Sequence, residues 1–173
     1  IVNYNIEGRQ YSVTGRKQAI AALEQALAAL APTDAKAPFV LVPGIDVPFH
    51  SAVLRDGVHR FREDLEAEIP THIDPALLVH RYIPNLTAKL FELTPEFVQG
   101  IIDTTDSDIA KQWLNHWDDE IKNPAVLTRK LLIELLAWQF ASPVRWIETQ
   151  RLLFGLTPSP AAVERIAEVG VGY

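Results

Sequence analysis

The chain contains no cysteine in 173 residues, which excludes disulfides and thiolate chemistry and is compatible with a reducing compartment. It is also short of positive charge. Sixteen Lys and Arg against 22 Asp and Glu give a net charge of −6, which argues against a nucleic-acid partner, whose phosphates call for a basic face. No apolar run reaches the roughly 18 residues of a membrane span, and no basic-then-apolar stretch opens the sequence, so a soluble protein with no membrane partner is expected. What is present is apolar: 48% of the residues are hydrophobic, enough for a globular core. At this length the chain is one domain or a large part of one, able to bury roughly 70% of its unfolded surface. It opens on Ile1 inside a strand-like run and closes on Gly170-Val171-Gly172-Tyr173, which reads as a segment of a longer polypeptide.

Two strand candidates, residues 1–6 and 10–13, flank Glu7-Gly8-Arg9, a connection that fits a hairpin. Ile20, Leu23, Leu27 and Leu30 then recur at helical spacing over residues 16–31, and Pro32 stops the pattern. Residues 39–42, bounded by Pro38 and Pro43-Gly44, are short, apolar and β-branched, and read as a buried strand. This β-β-α-β order is most of a ferredoxin-like unit lacking its first strand and helix. A helix over 52–67 places Val53, Leu54, Val58, Phe61 and Leu65 on one stripe, with Arg55, Asp56, Arg62, Glu63 and Asp64 mostly outside. Asp74-Pro75, Thr94-Pro95, Asp106-Ser107-Asp108 and Asn123-Pro124 each signal a helix start. The last opens the longest helix, apolar nearly all round and therefore expected to be buried. Ser142-Pro143 begins a helix over 144–154 stopped by Gly155, Ser159-Pro160 begins a short one to residue 165, and 166–170 reads as a final strand. Alternating helices and strands favour an α/β fold.

The stretch that carries chemistry is Val47-Pro48-Phe49-His50-Ser51. A proline fixes its own φ and pushes its predecessor out of the helical region, so His50 sits on a stiff loop between a strand candidate and a helix. A histidine so placed can shuttle protons near neutral pH, given a hydroxyl or thiol and an orienting acceptor. The residues alone favour a histidine that caps the next helix or packs at a domain edge over a catalytic one.

Pro48-Phe49-His50-Ser51-Ala52-Val53-Leu54-Arg55 resembles the active-site histidine segment of malonyl/acyl-CoA:acyl-carrier-protein transferases, most closely the malonyl/palmitoyl transferase domain of type I fatty acid synthases. Gln139-Phe140-Ala141-Ser142-Pro143-Val144-Arg145-Trp146-Ile147-Glu148-Thr149 is similar to the family's Q-x-x-x-P-V-x-W-x-E-T run, in which the glutamine's backbone carbonyl accepts a ring N–H of the histidine. Arg81-Tyr82-Ile83-Pro84-Asn85, read as a strand ending in proline, resembles its Y-I-P-N-L stretch. Asn3-Tyr4-Asn5 and the following Gly8, Gln10 and Gly15 resemble the strand pair opening the second half of its small subdomain. The resemblance implies an α/β architecture in two parts. Residues 1–43 would form part of a ferredoxin-like subdomain, and 44–173 the C-terminal part of an α/β-hydrolase-like acyltransferase core with a helical insertion. It implies His50 as general base, the Gln139 carbonyl as its orienter, and Asn3 and Asn5 as weak candidates for polar contacts around the cleft. Coenzyme A thioesters and phosphopantetheinyl acyl carrier protein would be substrates, with no cofactor bound by this segment. The partners implied are the acyl carrier protein and the remainder of a large, homo-oligomeric, cytoplasmic synthase.

The sequence departs from the family in two places. Val171 and Tyr173 stand where its closing turn carries proline and lysine. No G-x-S-x-G nucleophile elbow occurs, and Ser51, Ser107, Ser142 and Ser159 lack that glycine frame. The nucleophile would lie on polypeptide upstream of Ile1, and the alternative is a non-catalytic scaffold or interaction segment of a multienzyme. An independent hydrolase is disfavoured for want of an elbow serine. His50, His59, His72, His80 and His116 show no zinc spacing, and Asp103-Thr104-Thr105-Asp106-Ser107-Asp108 lacks the glycine and terminal glutamate of a calcium loop, so no metal is expected. The four tryptophans are read as core.

Overall fold

The computed structural model describes residues 1–30, 37–155, 163–167 and 169. Among these, seven α-helices and two short 3-10 turns accompany one two-stranded sheet, a mixed α/β fold that is mostly helical. The strands β1 (Asn3–Ile6) and β2 (Gln10–Ser12) run antiparallel, Asn3 opposite Ser12 and Tyr4 opposite Tyr11. Gly8 turns the hairpin at φ 66°, and its N–H donates to the Tyr11 hydroxyl at 2.8 Å. A parallel bridge joins Asn3 to Val144: Tyr4 N donates to Val144 O at 3.1 Å and Val144 N to Val2 O at 2.9 Å. This bridge corrects the expected helix start at 144. Val144 is drawn into the hairpin's ladder, and the helix α7 begins two residues later (Trp146–Leu153), with Gly155 at φ 66° just beyond its end.

The helix α1 (Lys17–Leu30) forms where its apolar spacing places it, yet it buries no residue and Leu30 is 81% exposed. The expected strand at 39–42 is a second correction. Those residues form no strand and are unpaired among the described residues, and Val40, Leu41 and Val42 lie open to solvent. Apolar, β-branched composition makes a strand only where a neighbour accepts and donates its backbone hydrogen bonds. Residues 81–85 likewise form no strand, being irregular backbone between turns, although His80 N donates to Phe91 O and Phe91 N to Tyr82 O, tying them to the start of the helical block. Pro32, the Ser159-Pro160 helix start and the glycine-rich closing turn lie outside the described residues. Residues 163–167 and 169 carry neither the helix nor the strand expected there.

The core is helical. A 3-10 turn over Ala52–Gly57 leads into α2 (Val58–Glu68), and a second turn, Pro75–Leu77, is capped by Asp74, whose carboxylate accepts from Ala76 N. Thr94 caps α3 (Pro95–Thr105) and Ser107 caps α4 (Asp108–Asn115), each side-chain oxygen accepting an otherwise orphaned N–H. After the single turn α5 (Trp117–Glu120), Asn123 caps α6 (Pro124–Gln139), the longest helix described. Leu127, Leu131 and Leu135 of α6 are fully buried against Phe91, Val98 and Ile101. A smaller cluster, Val58 with Ala137 and Ala141, joins α2 to the far end of α6. Trp113, Trp117 and Trp138 pack on the main core, while Trp146 is 42% exposed.

Candidate active site

The site is made where α6 stops. In a continuing helix the Gln139 carbonyl would accept from the N–H of residue 143, but that residue is proline and has none. The Phe140 carbonyl would accept from Val144, whose N–H is taken by Val2 O. Two adjacent carbonyls thereby lose their i+4 donors, Gln139 O keeping a long 3.5 Å bond from Ser142 N, and His50 occupies both. Its backbone N donates to Phe140 O at 2.9 Å, and its Nδ1 lies 2.8 Å from Gln139 O.

The loop that carries His50 is built to hold it there. Phe49 N donates to Val47 O at 2.8 Å around Pro48, a tight turn, and Ser51 Oγ donates to Pro48 O at 2.6 Å. His50 itself adopts φ 60°, a left-handed conformation that costs a non-glycine residue roughly 1–3 kcal/mol and persists only where surrounding bonds over-determine it. Beneath the loop, Gly57 meets Phe140: a Cβ there would stand 3.0 Å from Phe140 Cζ. Phe61 packs edge-on to the same ring at 5.4 Å between centroids.

A carbonyl oxygen can only accept, so the contact at Gln139 requires the proton on Nδ1. The neutral imidazole then offers its Nε2 lone pair, and Nε2 has no hydrogen-bond partner among the described residues. The half-buried ring can take up a proton at Nε2 and stabilise the resulting cation through Nδ1. Ser51, the nearest hydroxyl in sequence, is engaged with Pro48 O.

The two asparagines sit on the hairpin and make no hydrogen bond to His50 among the described residues. Asn5 Nδ2 donates to Ser12 Oγ, and its backbone oxygen accepts from Gln150 Nε2. Asn3 Oδ1 is buried without a hydrogen-bond partner among the described residues. The hairpin abuts the loop after Gln139 through Val144, and α7 clamps it from the other side, Arg151 pairing with Glu7.

Among the described residues no three His, Asp or Glu side chains converge as metal ligands. His59 and His80 each lie near a single glutamate on the surface, and His116 Nδ1 contacts Gln112 O. In the 103–108 stretch, Asp106 and Asp108 both pair with Lys111. Hydrogen bonding to that ammonium holds the Asp106 carboxyl below its ordinary value and raises Lys111.

One group escaped the sequence reading. Glu134, in the middle of α6, is fully buried and receives Arg62 Nε at 2.7 Å and Nη2 at 3.0 Å, Ser107 Oγ at 2.5 Å and Trp138 Nε1 at 2.7 Å. Arg62, assigned above to the outer face of α2, is turned inward to meet it, its side chain only 13% exposed. The available signal was a lone acid flanked by Leu131, Leu132, Ile133, Leu135 and Leu136, because a carboxylate so enclosed needs a buried cation or several donors.

The chain is similar to stretches of fungal fatty acid synthases. It is 44% identical over 128 residues, 73% of this chain, to fatty acid synthase 2 of Mycosarcoma maydis. It matches the fatty acid synthase subunit beta of Schizosaccharomyces pombe at 51% over 76 residues, 43% of this chain, and the subunit alpha of the same organism at 61% over 44 residues, 25% of this chain. The chain spans 3%, 4% and 2% of those relatives' own lengths. No family model matches it. The likeness is thus to short stretches of much longer fatty acid synthase polypeptides, of both the beta and the alpha subunit. No helix among the described residues is long and apolar enough to cross a membrane.

Proposed function

We propose that this chain is the base-bearing part of an acyltransferase domain that moves malonyl or longer acyl groups between coenzyme A and the phosphopantetheine thiol of an acyl carrier protein. The observation that carries the reading is the 2.8 Å contact between His50 Nδ1 and Gln139 O, which leaves Nε2 unpartnered among the described residues. In the reaction, a serine supplied by the preceding part of the domain attacks the thioester carbonyl carbon and gives its hydroxyl proton to His50 Nε2. The oxyanion collapses, the C–S bond breaks, and the departing thiolate takes the proton back. Transfer to the carrier is the same sequence in reverse with a second thiol. Gln139 holds the tautomer, and Asn3, with its unpartnered oxygen, is the hairpin residue available for a polar contact at the cleft.

The same reading accounts for the apolar surface around residues 39–49 and α1. In a ferredoxin-like subdomain completed by preceding polypeptide, that run would be an inner strand and the exposed face of α1 a packed one. The synthase, in the cytoplasm and in multiple copies, is the assembly in which the segment works.

The test is His50→Ala in the full synthase polypeptide, assayed for malonyl exchange between coenzyme A and acyl carrier protein. Loss of the base in a nucleophile pair lowers turnover by roughly 10³-fold or more. Undiminished exchange with altered assembly or melting would replace this reading with a scaffold role.

A further inference from the structure

Glu134 and His50 lie along one seam. The seam joins α2, which starts eight residues after His50, to α6, which ends at the carbonyl His50 uses. Along it, Gly57 and Phe61 meet Phe140, Val58 meets Ala137 and Ala141, and Arg62 meets Glu134. The contacts near His50 are apolar: Val58, Ala137 and Ala141 with Leu54, Leu65, Trp138 and Phe140 around them, and Phe61 edge-on to Phe140. At the far end of α2, Arg129 of α6 donates to the carbonyls of Glu66, Ile69 and Pro70, and between that end and His50 the Arg62–Glu134 pair is the polar link from α2 to α6.

The ion pair fixes register in the stretch of the seam nearer His50. Arg62 grips both carboxylate oxygens, a planar fork that tolerates little displacement. The same carboxylate holds Trp138 Nε1, one residue before Gln139, and the Ser107 hydroxyl that caps α4 through Ala110 N. Three helices are thereby referenced to one buried group. Stability alone does not explain it, since a buried ion pair is often matched or bettered by apolar residues of similar volume. From this geometry we infer that Glu134 is a positioning residue for His50: it sets the register of α2 on α6 in which the end of α6 reaches the imidazole. The inference rests on the acyltransfer reading above.

The experiment uses the full synthase polypeptide, malonyl-CoA as donor and acyl carrier protein as acceptor, with active sites counted by the stoichiometry of enzyme acylation at saturating donor. Glu134→Gln keeps an acceptor for Trp138 and removes the charge facing Arg62. The expected result is a fall in kcat per counted site of roughly 10- to 100-fold with KM within about twofold, as displacement of a reacting group by under an ångström produces. Fewer counted sites with unchanged kcat per site would mean a merely structural role and overturn the inference. If Glu134→Gln yields no folded sites, Arg62→Lys decides in the same assay, because it keeps the charge and loses the fork: a drop in kcat per site supports the inference and an unchanged kcat overturns it. His50→Ala run alongside separates the two levels. If it leaves transfer intact, the acyltransfer reading fails; if it abolishes transfer while both seam variants keep wild-type kcat per site, only the role of Glu134 fails.

Discussion

The helical block between α2 and α6 and the strand-bearing region before it are built from similarly apolar sequence and differ in what that sequence touches. In the block, Phe91, Val98, Ile101, Leu127, Leu131 and Leu135 are at most fractionally exposed and pack on one another. In the first 50 residues, Val40, Leu41 and Val42 are more than half exposed, and α1 buries nothing. Composition is therefore a poor guide to which region supplies the stability. The block closes its own core. The strand-bearing region is held to it through the Asn3–Val144 bridge and the contacts of α7, and presents its remaining apolar faces outward.

The difference can be broken or sharpened by substitution, measured by denaturant unfolding. Phe91→Ala removes a fully buried ring from the middle of the block and should cost about 3–5 kcal/mol; a loss below about 1 kcal/mol would mean that the block is no better packed than the rest. A subtler probe is Tyr82, whose phenol burial raises above its ordinary value of 10.0. Folding then favours the protonated phenol, so that contribution is present below the ordinary value and disappears as pH rises through the elevated one. Melting curves should fall more steeply for the native chain than for Tyr82→Phe above about pH 10, and parallel curves would show that the ring is open to water in solution. The smallest effect belongs to the outer region: Leu27→Ala on α1 should change stability by no more than about 0.5 kcal/mol, since the side chain is only half covered. A larger loss would place α1 against a surface in solution.

What could be read in the sequence was local. The caps Asp74, Thr94 and Asn123 follow from short polar side chains set before prolines, and each accepts its helix N–H. The apolar spacing of α6 marked it as the buried helix, and seven of its residues are buried. Failures came where a partner distant in sequence decides the outcome. Residues 39–42 have strand composition without a paired neighbour among the described residues, and Val144 left a helix start to join a ladder with Val2 and Tyr4. Arg62 was assigned outward because each helix face was judged alone, whereas its position is settled by a carboxylate 72 residues away. No periodicity or spacing pairs residue 50 with residue 139, and only the two stretches of resemblance named them together.

The stop at Pro143 has a consequence for how such a site is encoded. His50 is held by a main-chain oxygen, which every amino acid supplies, so the letter at position 139 carries almost none of the information for that contact. The specification sits four positions later, in a residue that contributes a missing hydrogen and touches nothing in the reaction. A search that looks for interacting side chains would pass over both positions, while one that asks which backbone acceptors have been deprived of their helical donors would find the histidine's anchor from geometry alone.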